Sequence, residues 1–319
     1  MKSEFEFINN LKSRFSLAHV GDDCAVLLKD DKTDLLVTAD LLIEDIDFRL
    51  EWTTPEFLGH KALAVSLSDI AAMGGTPKWA LMSIGVPKDL WKTDFLDLFY
   101  DGWHELAENH GVDLVGGDIS RSPDRLVIDS MVGGEVEHGR ALLRSGAKPG
   151  DSIFVTGYIG GAAAGLALLE SGHNFSDKIS ASVRHLLFRQ LQPIPQITTG
   201  KLLQTYGLPT AMCDLSDGLS SDISHLIAAS AVGAQIYAER LPIDPAIEGA
   251  NKASPVSLDL ALNGGEDLEL LFTTGKEKRS VALDLGFHEI GEITSNKGVV
   301  ELVCQESVER LEPRGYSHF

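Results

Sequence analysis

Seven aspartates, Asp22, Asp23, Asp40, Asp69, Asp118, Asp214 and Asp217, recur in one kind of setting. Each stands within two residues of a glycine, serine or threonine, at the end of a short apolar run or the start of a helix. Strand ends are where the backbone turns and side chains converge, so sites collect there. One such acid is more often a cap or turn residue; seven in the same setting are harder to dismiss. Many carboxylates with few basic residues to answer them suit hard divalent cations, Mg²⁺ above all. Mg²⁺ typically takes one or two protein carboxylates and fills its octahedron with water and substrate phosphates. So many acids therefore imply several ions and a polyphosphate substrate.

Asp69 is the sharpest case. Residues 58–73, LGHKALAVSLSDIAAM, are apolar or small round every helical face, which predicts a helix buried on most sides. Ala64, Ala71 and Ala72 would let other backbone come close. Thr54 as N-cap with Pro55 at the first helical position starts this helix, and Gly74-Gly75 with Pro77 ends it. A carboxylate near the C-terminal end faces both desolvation and the negative end of the helix dipole. Something cationic should meet it.

Those acids must be positioned by a sizeable protein. At 319 residues, with 44% hydrophobic and 23% charged residues, the chain has the composition of a soluble globular protein of two domains. Lys and Arg number 27 against 47 Asp and Glu, a net charge of −20, which argues against nucleic-acid or anionic-membrane partners. Cys24, Cys213 and Cys304 form no paired motif, so a reducing cytoplasm is the natural setting. The opening MKSEFEFINNLKSRF lacks the apolar core of a signal peptide, and no run approaches a membrane span.

Residues 3–15 read as an amphipathic helix through Phe5, Ile8, Leu11 and Phe15. Strands are expected at 33–40, at WALMSIGVP (79–87), at 112–118 as a short buried strand, and at 125–136, with a second amphipathic helix over 89–110. This order predicts an α+β layer, a mixed sheet with helices on one face. The Gly- and Pro-rich stretch 145–151 marks the boundary between domains 1–145 and 146–319, the latter a second α/β domain of sandwich-like build.

Other chemistries find little support. There is no GxxxxGK[ST] and no protein-kinase motif set. His104 and His110 are six residues apart, too far for HExxH, and read as exposed helix positions. Gly157, Gly160, Gly161 and Gly165 could cradle a phosphate at a helix start, but close helix–strand packing is the better reading.

Six stretches in order, GDDCA (21–25), SLSDIAAMGG (66–75), GGD (116–118), LRSGAKPGD (143–151), DLSDGLSSD (214–222) and NGGEDLEL (263–270), resemble the motifs of the thiamine-monophosphate kinase family. That family belongs to the superfamily of aminoimidazole ribonucleotide synthetase and selenophosphate synthetase. The resemblance runs from Val20 to the closing RGY. It implies a PurM-like fold, and ATP- and Mg²⁺-dependent phosphorylation of thiamine monophosphate to the diphosphate. It further implies a homodimer built on the N-terminal domains with ATP near the interface. Carried over, Asp23, Asp40, Asp69, Asp118, Asp214 and Asp217 would ligate Mg²⁺, with Thr38 assisting. Tyr100, Gly117, Asp118, Arg144 and Ser216 would contact ATP. Asp47, Glu266 and Tyr316 would hold the acceptor, the tyrosine by stacking on its cationic ring. Two positions depart from the family pattern: Ala39 stands where a hydroxyl residue is usual, and Asp47 where a histidine is. Two alternatives therefore stay open, a related ATP-dependent enzyme acting on a different small phosphate and a non-catalytic ATP/Mg²⁺-binding homologue.

Overall fold

The computed structural model describes residues 4–175, 178–250, 257–305, 307–316 and 318. The first half runs α1 (Glu4–Phe15), β1 (Ala25–Asp30), β2 (Thr33–Ile43), α2 (Pro55–Ala72), β3 (Thr76–Pro87), α3 (Phe95–His110), β4 (Asp113–Ser122) and β5 (Val127–Glu137). The second half runs β6 (Ser152–Val155), α4 (Gly161–Glu170), α5 (Ala181–Leu191), α6 (Ile197–Tyr206), β7 (Ala211–Asp214), α7 (Leu219–Ser230) and β8 (Gly233–Tyr237). It continues through α8 (Ala246–Ala250), α9 (Ser257–Asn263), β9 (Leu270–Thr274), α10 (Arg279–Asp284), β10 (His288–Thr294), β11 (Val300–Cys304) and β12 (Ser307–Arg310).

The buried helix expected around Asp69 is α2. Thr54 caps it, its hydroxyl accepting the Phe57 N–H at 3.3 Å, and Gly74 with φ +67° leaves it in the left-handed region. The reason it is apolar all round lies in its neighbours. It packs on β2, β3 and β5 of one sheet, on β7 of the other, and is flanked by α3 and α6. Close approach on these sides needs small residues. A side chain at Gly59 would collide with the Phe99 carbonyl of α3, and one at Gly200 of α6 with the Ala71 carbonyl of α2.

The first sheet has the order β1-β2-β5-β3-β4, mixed, with only β3 and β4 parallel. Residues 112–118 do not form a short buried strand. The strand β4 is longer, Asp113–Ser122, and is exposed along almost all of its length because it is the sheet's outer edge, pairing only with β3. Leu114, Val115 and Ile119 stand in solvent there. The expected helix over 89–110 is split: a 3₁₀ turn at Leu90–Lys92 precedes α3. In α1, Phe7 and Phe15 are exposed, so its apolar stripe is only partly covered; the side chain of Phe5 lies outside the described residues.

The second sheet has the order β12-β11-β8-β10-β6-β9-β7. Its strands β6, β7 and β9 are buried on both faces. Phe154, Met212 and Phe272 join the core built around α2, while Ile153, Cys213 and Leu271 face a second core with α7. The two halves thus share one hydrophobic core, and α2 is at its centre.

Candidate functional site

Four elements bring the aspartates together. Asp22 and Asp23 lie in the turn entering β1. On β2, alternation puts Thr38 and Asp40 on the face with buried Leu36 and Leu42, turned toward α2, and Ala39 on the opposite face. Asp69 comes from the last turns of α2, and Asp214 ends β7, where the chain turns through Ser216 and Asp217 into α7. Carboxylate oxygens of Asp23, Asp69 and Asp214 all lie within 4.8 Å of one another.

Hydroxyls hold this patch in place. Thr38 donates to Asp69, Ser66 to Asp40 at 2.7 Å, and Ser68 to Asp214 at 2.6 Å. Ser66 and Ser68 were not among the expected site residues. Polar side chains inside a run apolar on every face were the clue, the same oddity that singles out Asp69. The Arg144 guanidinium donates from Nε to Asp23 at 3.1 Å, and its backbone N–H to Asp22 at 2.7 Å.

Burial disfavours the charged form of these acids. It raises the carboxyls of Asp23 and Asp40, and the neighbouring carboxylates add to the effect. Asp214 is pushed up to about 7, by burial first and by Asp23 next. Asp69 lies well above the usual range, from burial and then from Asp40, Asp214 and Asp23. Its residual exposure is toward the cavity it lines. Among the described residues no ion pair reaches Asp69: Arg144 is engaged by Asp23, and Lys61, on the same helix, by Glu266. Asp23 Oδ2 is buried with no hydrogen-bond donor among those residues. An open carboxylate oxygen among crowded acids is the donor set a hard divalent cation would use. The expected cation for Asp69 is thus no side chain of the described protein.

Asp40, Asp69, Asp214, Ser216 and Asp217 line a cavity of about 690 Å³, and so do Asp47, Glu266 and Tyr316. Lys61 also lines it, only 3% exposed, with its Nζ 2.7 Å from Glu266 Oε1. Sequence reasoning missed Lys61, which looked like one more helical lysine. In a helix without a solvent face, a lysine needs a partner as much as an aspartate does. Asp47 also serves the turn before α2, its carboxylate accepting the Ile43 N–H at 2.8 Å.

Six expected residues are not on the cavity wall: Asp23, Thr38 and Arg144 stand behind it, bonded within the aspartate patch, and three lie elsewhere. Tyr100 lies half-buried on α3, its ring edge-on to Phe99 at 5.4 Å. Gly117 and Asp118 lie on the exposed edge strand β4. At Gly117, with φ +152°, a side chain would run into the Met82 carbonyl of β3, so strand pairing also asks for glycine.

The glycine-rich turn before α4 is not a phosphate cradle. Asp267 already occupies that helix start, accepting the N–H groups of Gly160 and of Ala162, the latter at 3.0 Å. Nor is its packing against a strand: a side chain at Gly165 would strike the Leu186 carbonyl of the neighbouring helix α5. His104 is exposed and pairs with Glu108 at 3.4 Å.

Residues 21–136 match the family model "AIR synthase related protein, N-terminal domain", and residues 148–311 match the corresponding C-terminal domain. The chain is 38% identical to the thiamine-monophosphate kinase of Bacillus subtilis (strain 168) over 329 residues, covering 99% of each. It is 39% identical to that of Escherichia coli (strain K12) over 310 residues, covering 94% of this chain and 91% of the relative. Among solved structures it is similar to AaThiL complexed with AMPPCP and TMP, with a TM-score of 0.89 at 34% identity. That match covers 99% of this chain and 97% of the other. The hydrogenase maturation protein HypE in complex with ATP shares the fold, with a TM-score of 0.69 at 18% identity over 96% of this chain and 94% of that one.

Proposed function

The chain belongs to the thiamine-monophosphate kinase family, and we propose that it transfers the γ-phosphoryl group of ATP to the phosphate of thiamine monophosphate. The observation that carries this reading is the one cavity wall holding both the Asp69–Asp214 carboxylate patch and the Glu266–Tyr316 pair. A polyanionic co-substrate and an aromatic acceptor would each find the chemistry they need there. The related AaThiL complex with AMPPCP, an ATP analogue, and TMP supports the same pair of ligands.

Asp23, Thr38, Asp40, Asp69, Asp118, Asp214 and Asp217 would hold Mg²⁺. The unpartnered buried oxygen of Asp23 and the all-oxygen donor set fit such ions. When bound, Mg²⁺ would screen the charges of the donor and acceptor phosphates. Arg144 and Ser216 would meet ATP phosphates, with Gly117 and Tyr100 near the nucleotide. Asp47, Glu266 and Tyr316 would hold the acceptor. An oxygen of the acceptor phosphate attacks the γ-phosphorus in line, a new P–O bond forms, and the bond to the β,γ-bridging oxygen breaks to release ADP. That nucleophile is already deprotonated at neutral pH, since the second pKa of a phosphate monoester is about 6. No general base is required, and no phosphoenzyme forms.

The N-terminal unit, 1–145, would carry ATP and dimerisation, and 146–319 would close on the acceptor. The exposed apolar edge of β4 supports a homodimer. Because Gly117 and Asp118 lie on β4 itself, the nucleotide would lie near the interface. Among the described residues no helix is long and apolar enough to cross a membrane. The acidic charge and the free cysteines support a cytoplasmic enzyme without nucleic-acid or membrane partners.

A coupled assay of ADP formation with Mg²⁺·ATP and thiamine monophosphate, thiamine or other small phosphates tests the reading. Turnover with thiamine monophosphate is expected; turnover only with another acceptor would overturn it. Labelled phosphoprotein formed from γ-labelled ATP alone would overturn direct transfer.

A further inference from the structure

Glu266 is held both at its backbone and at its two carboxylate oxygens. Its backbone has φ +67°, left-handed for a residue with a side chain, and Leu268 two residues on has φ +51°. Such strain persists where surroundings over-determine it, and it gathers at ligand clamps. The Glu266 N–H donates to the Ser216 carbonyl at 2.8 Å, tying this loop to the turn that carries Ser216 and Asp217. Each carboxylate oxygen then has its own donor from a different helix. Lys61 of α2 reaches Oε1 at 2.7 Å, and Gln190 of α5 donates Nε2 to Oε2.

Both donors are nearly inaccessible, Lys61 at 3% and Gln190 at 4% exposure. The amide of Gln190 has one sensible orientation, because its reverse would set a carbonyl against the carboxylate. In that orientation Gln190 Oε1 is buried without a donor among the described residues. A buried acceptor left open costs stability. That cost is explained if the residue is kept for what its N–H does to Glu266.

We propose that Lys61 and Gln190 are positioning residues, which hold the Glu266 carboxylate so that a remaining lone pair faces the cavity and accepts an N–H of the amino group on the acceptor's pyrimidine. The inference rests on the reading that thiamine monophosphate is the acceptor and that Glu266 meets it. A carboxylate free to rotate would bind many cations and amines. One fixed at both oxygens keeps an acceptor lone pair at a single place, which suits an amino N–H there and repels a carbonyl oxygen in the same place. Two units of the protein contribute, since Lys61 comes from α2 and Gln190 and Glu266 from the second half.

The test is a mutant cycle on Lys61→Met, Gln190→Ala, Glu266→Gln and the double variant K61M/E266Q, assayed with thiamine monophosphate and with oxythiamine monophosphate, in which a carbonyl replaces the amino group. K61M and Q190A are expected to raise KM for thiamine monophosphate about tenfold while KM for ATP stays within about twofold. In the E266Q background, K61M should add less than about twofold. The wild-type preference for the amino over the carbonyl substrate should shrink in each single variant. An equal K61M effect with and without Glu266, or a parallel rise of both KM values, overturns the positioning role. Should K61M unfold, the Q190A/E266Q pair carries the same cycle, since it removes only one neutral donor. Wild-type protein inactive on thiamine monophosphate would instead overturn the underlying reading of the reaction.

Discussion

The Ser68 hydroxyl donates to the Asp214 carboxylate at 2.6 Å, tying the helix that underlies the first sheet to the strand end of the second. Ser68 sits one residue before Asp69 on α2, so the same helical turn supplies a ligand candidate and a support for another. Removing that hydroxyl should leave Asp214 free to rotate. For Ser68→Ala we expect the Mg²⁺ concentration for half-maximal activity to rise about tenfold, the scale of one charge-assisted hydrogen bond. A Mg²⁺ titration at saturating ATP reads this directly, and an unchanged midpoint would remove Ser68 from the site.

Asp69→Asn takes one charge from a crowded buried patch. Metal-free protein should therefore melt at the wild-type temperature or above it, while transfer falls by about a thousandfold or more. Thermal unfolding in a chelator and initial rates with Mg²⁺·ATP form the pair of measurements. A sharp loss of melting temperature in the chelator would make Asp69 a structural acid.

Acidity offers a third test. The folded-state value of Asp214, about 7, exceeds its unfolded value, ordinarily 3.8. Its contribution to stability is therefore fully present below about pH 4 and is lost as pH rises through about 7. His225 works the other way: held down to about 4 by burial and by Arg144, it favours the fold above its unfolded value of 6.5 and loses that as pH falls. Comparing wild type with Asp214→Asn cancels His225. The metal-free difference in unfolding free energy should shift against wild type steadily between pH 4 and 7. Saturating Mg²⁺ should reduce that shift. A difference independent of pH would contradict the assignment.

The edge strand gives a fourth. Ile119 is 51% exposed on β4, so Ile119→Asp should barely alter the melting temperature of a monomer. In the proposed homodimer the same change buries a charge, and sedimentation should report monomers where wild type forms dimers. Unaltered dimers would move the interface elsewhere.

Much of this architecture could be read from residue order. Thr54-Pro55 and Gly74-Gly75 marked both ends of α2, and the apolar circumference of that helix announced neighbours on every side. What pattern could not supply was which neighbours. The strand at 112–118 looked buried because Val112, Leu114 and Val115 are apolar, yet burial of an edge depends on whether another strand or helix covers it. The glycines at 157–165 suggested room for a phosphate, and only the fold brings Asp267 from 105 residues away to fill that helix start. Lys61 escaped notice because a lysine on a helix usually reaches water; that it cannot do so depends on the packing of both sheets around α2.

The helical run of α2 from Lys61 to Asp69 also fixes a length. Eight residues at a rise of 1.5 Å hold the two side chains about 12 Å apart along the axis. In the proposed complex the helix would act as a caliper, with one jaw at the phosphates and the other at the Glu266 carboxylate. One residue inserted between the jaws would turn them by about 100° against each other. Packing on both sheets leaves no slack to absorb that turn, so acceptors of other lengths must be met by changes in the loops while this helix keeps its count.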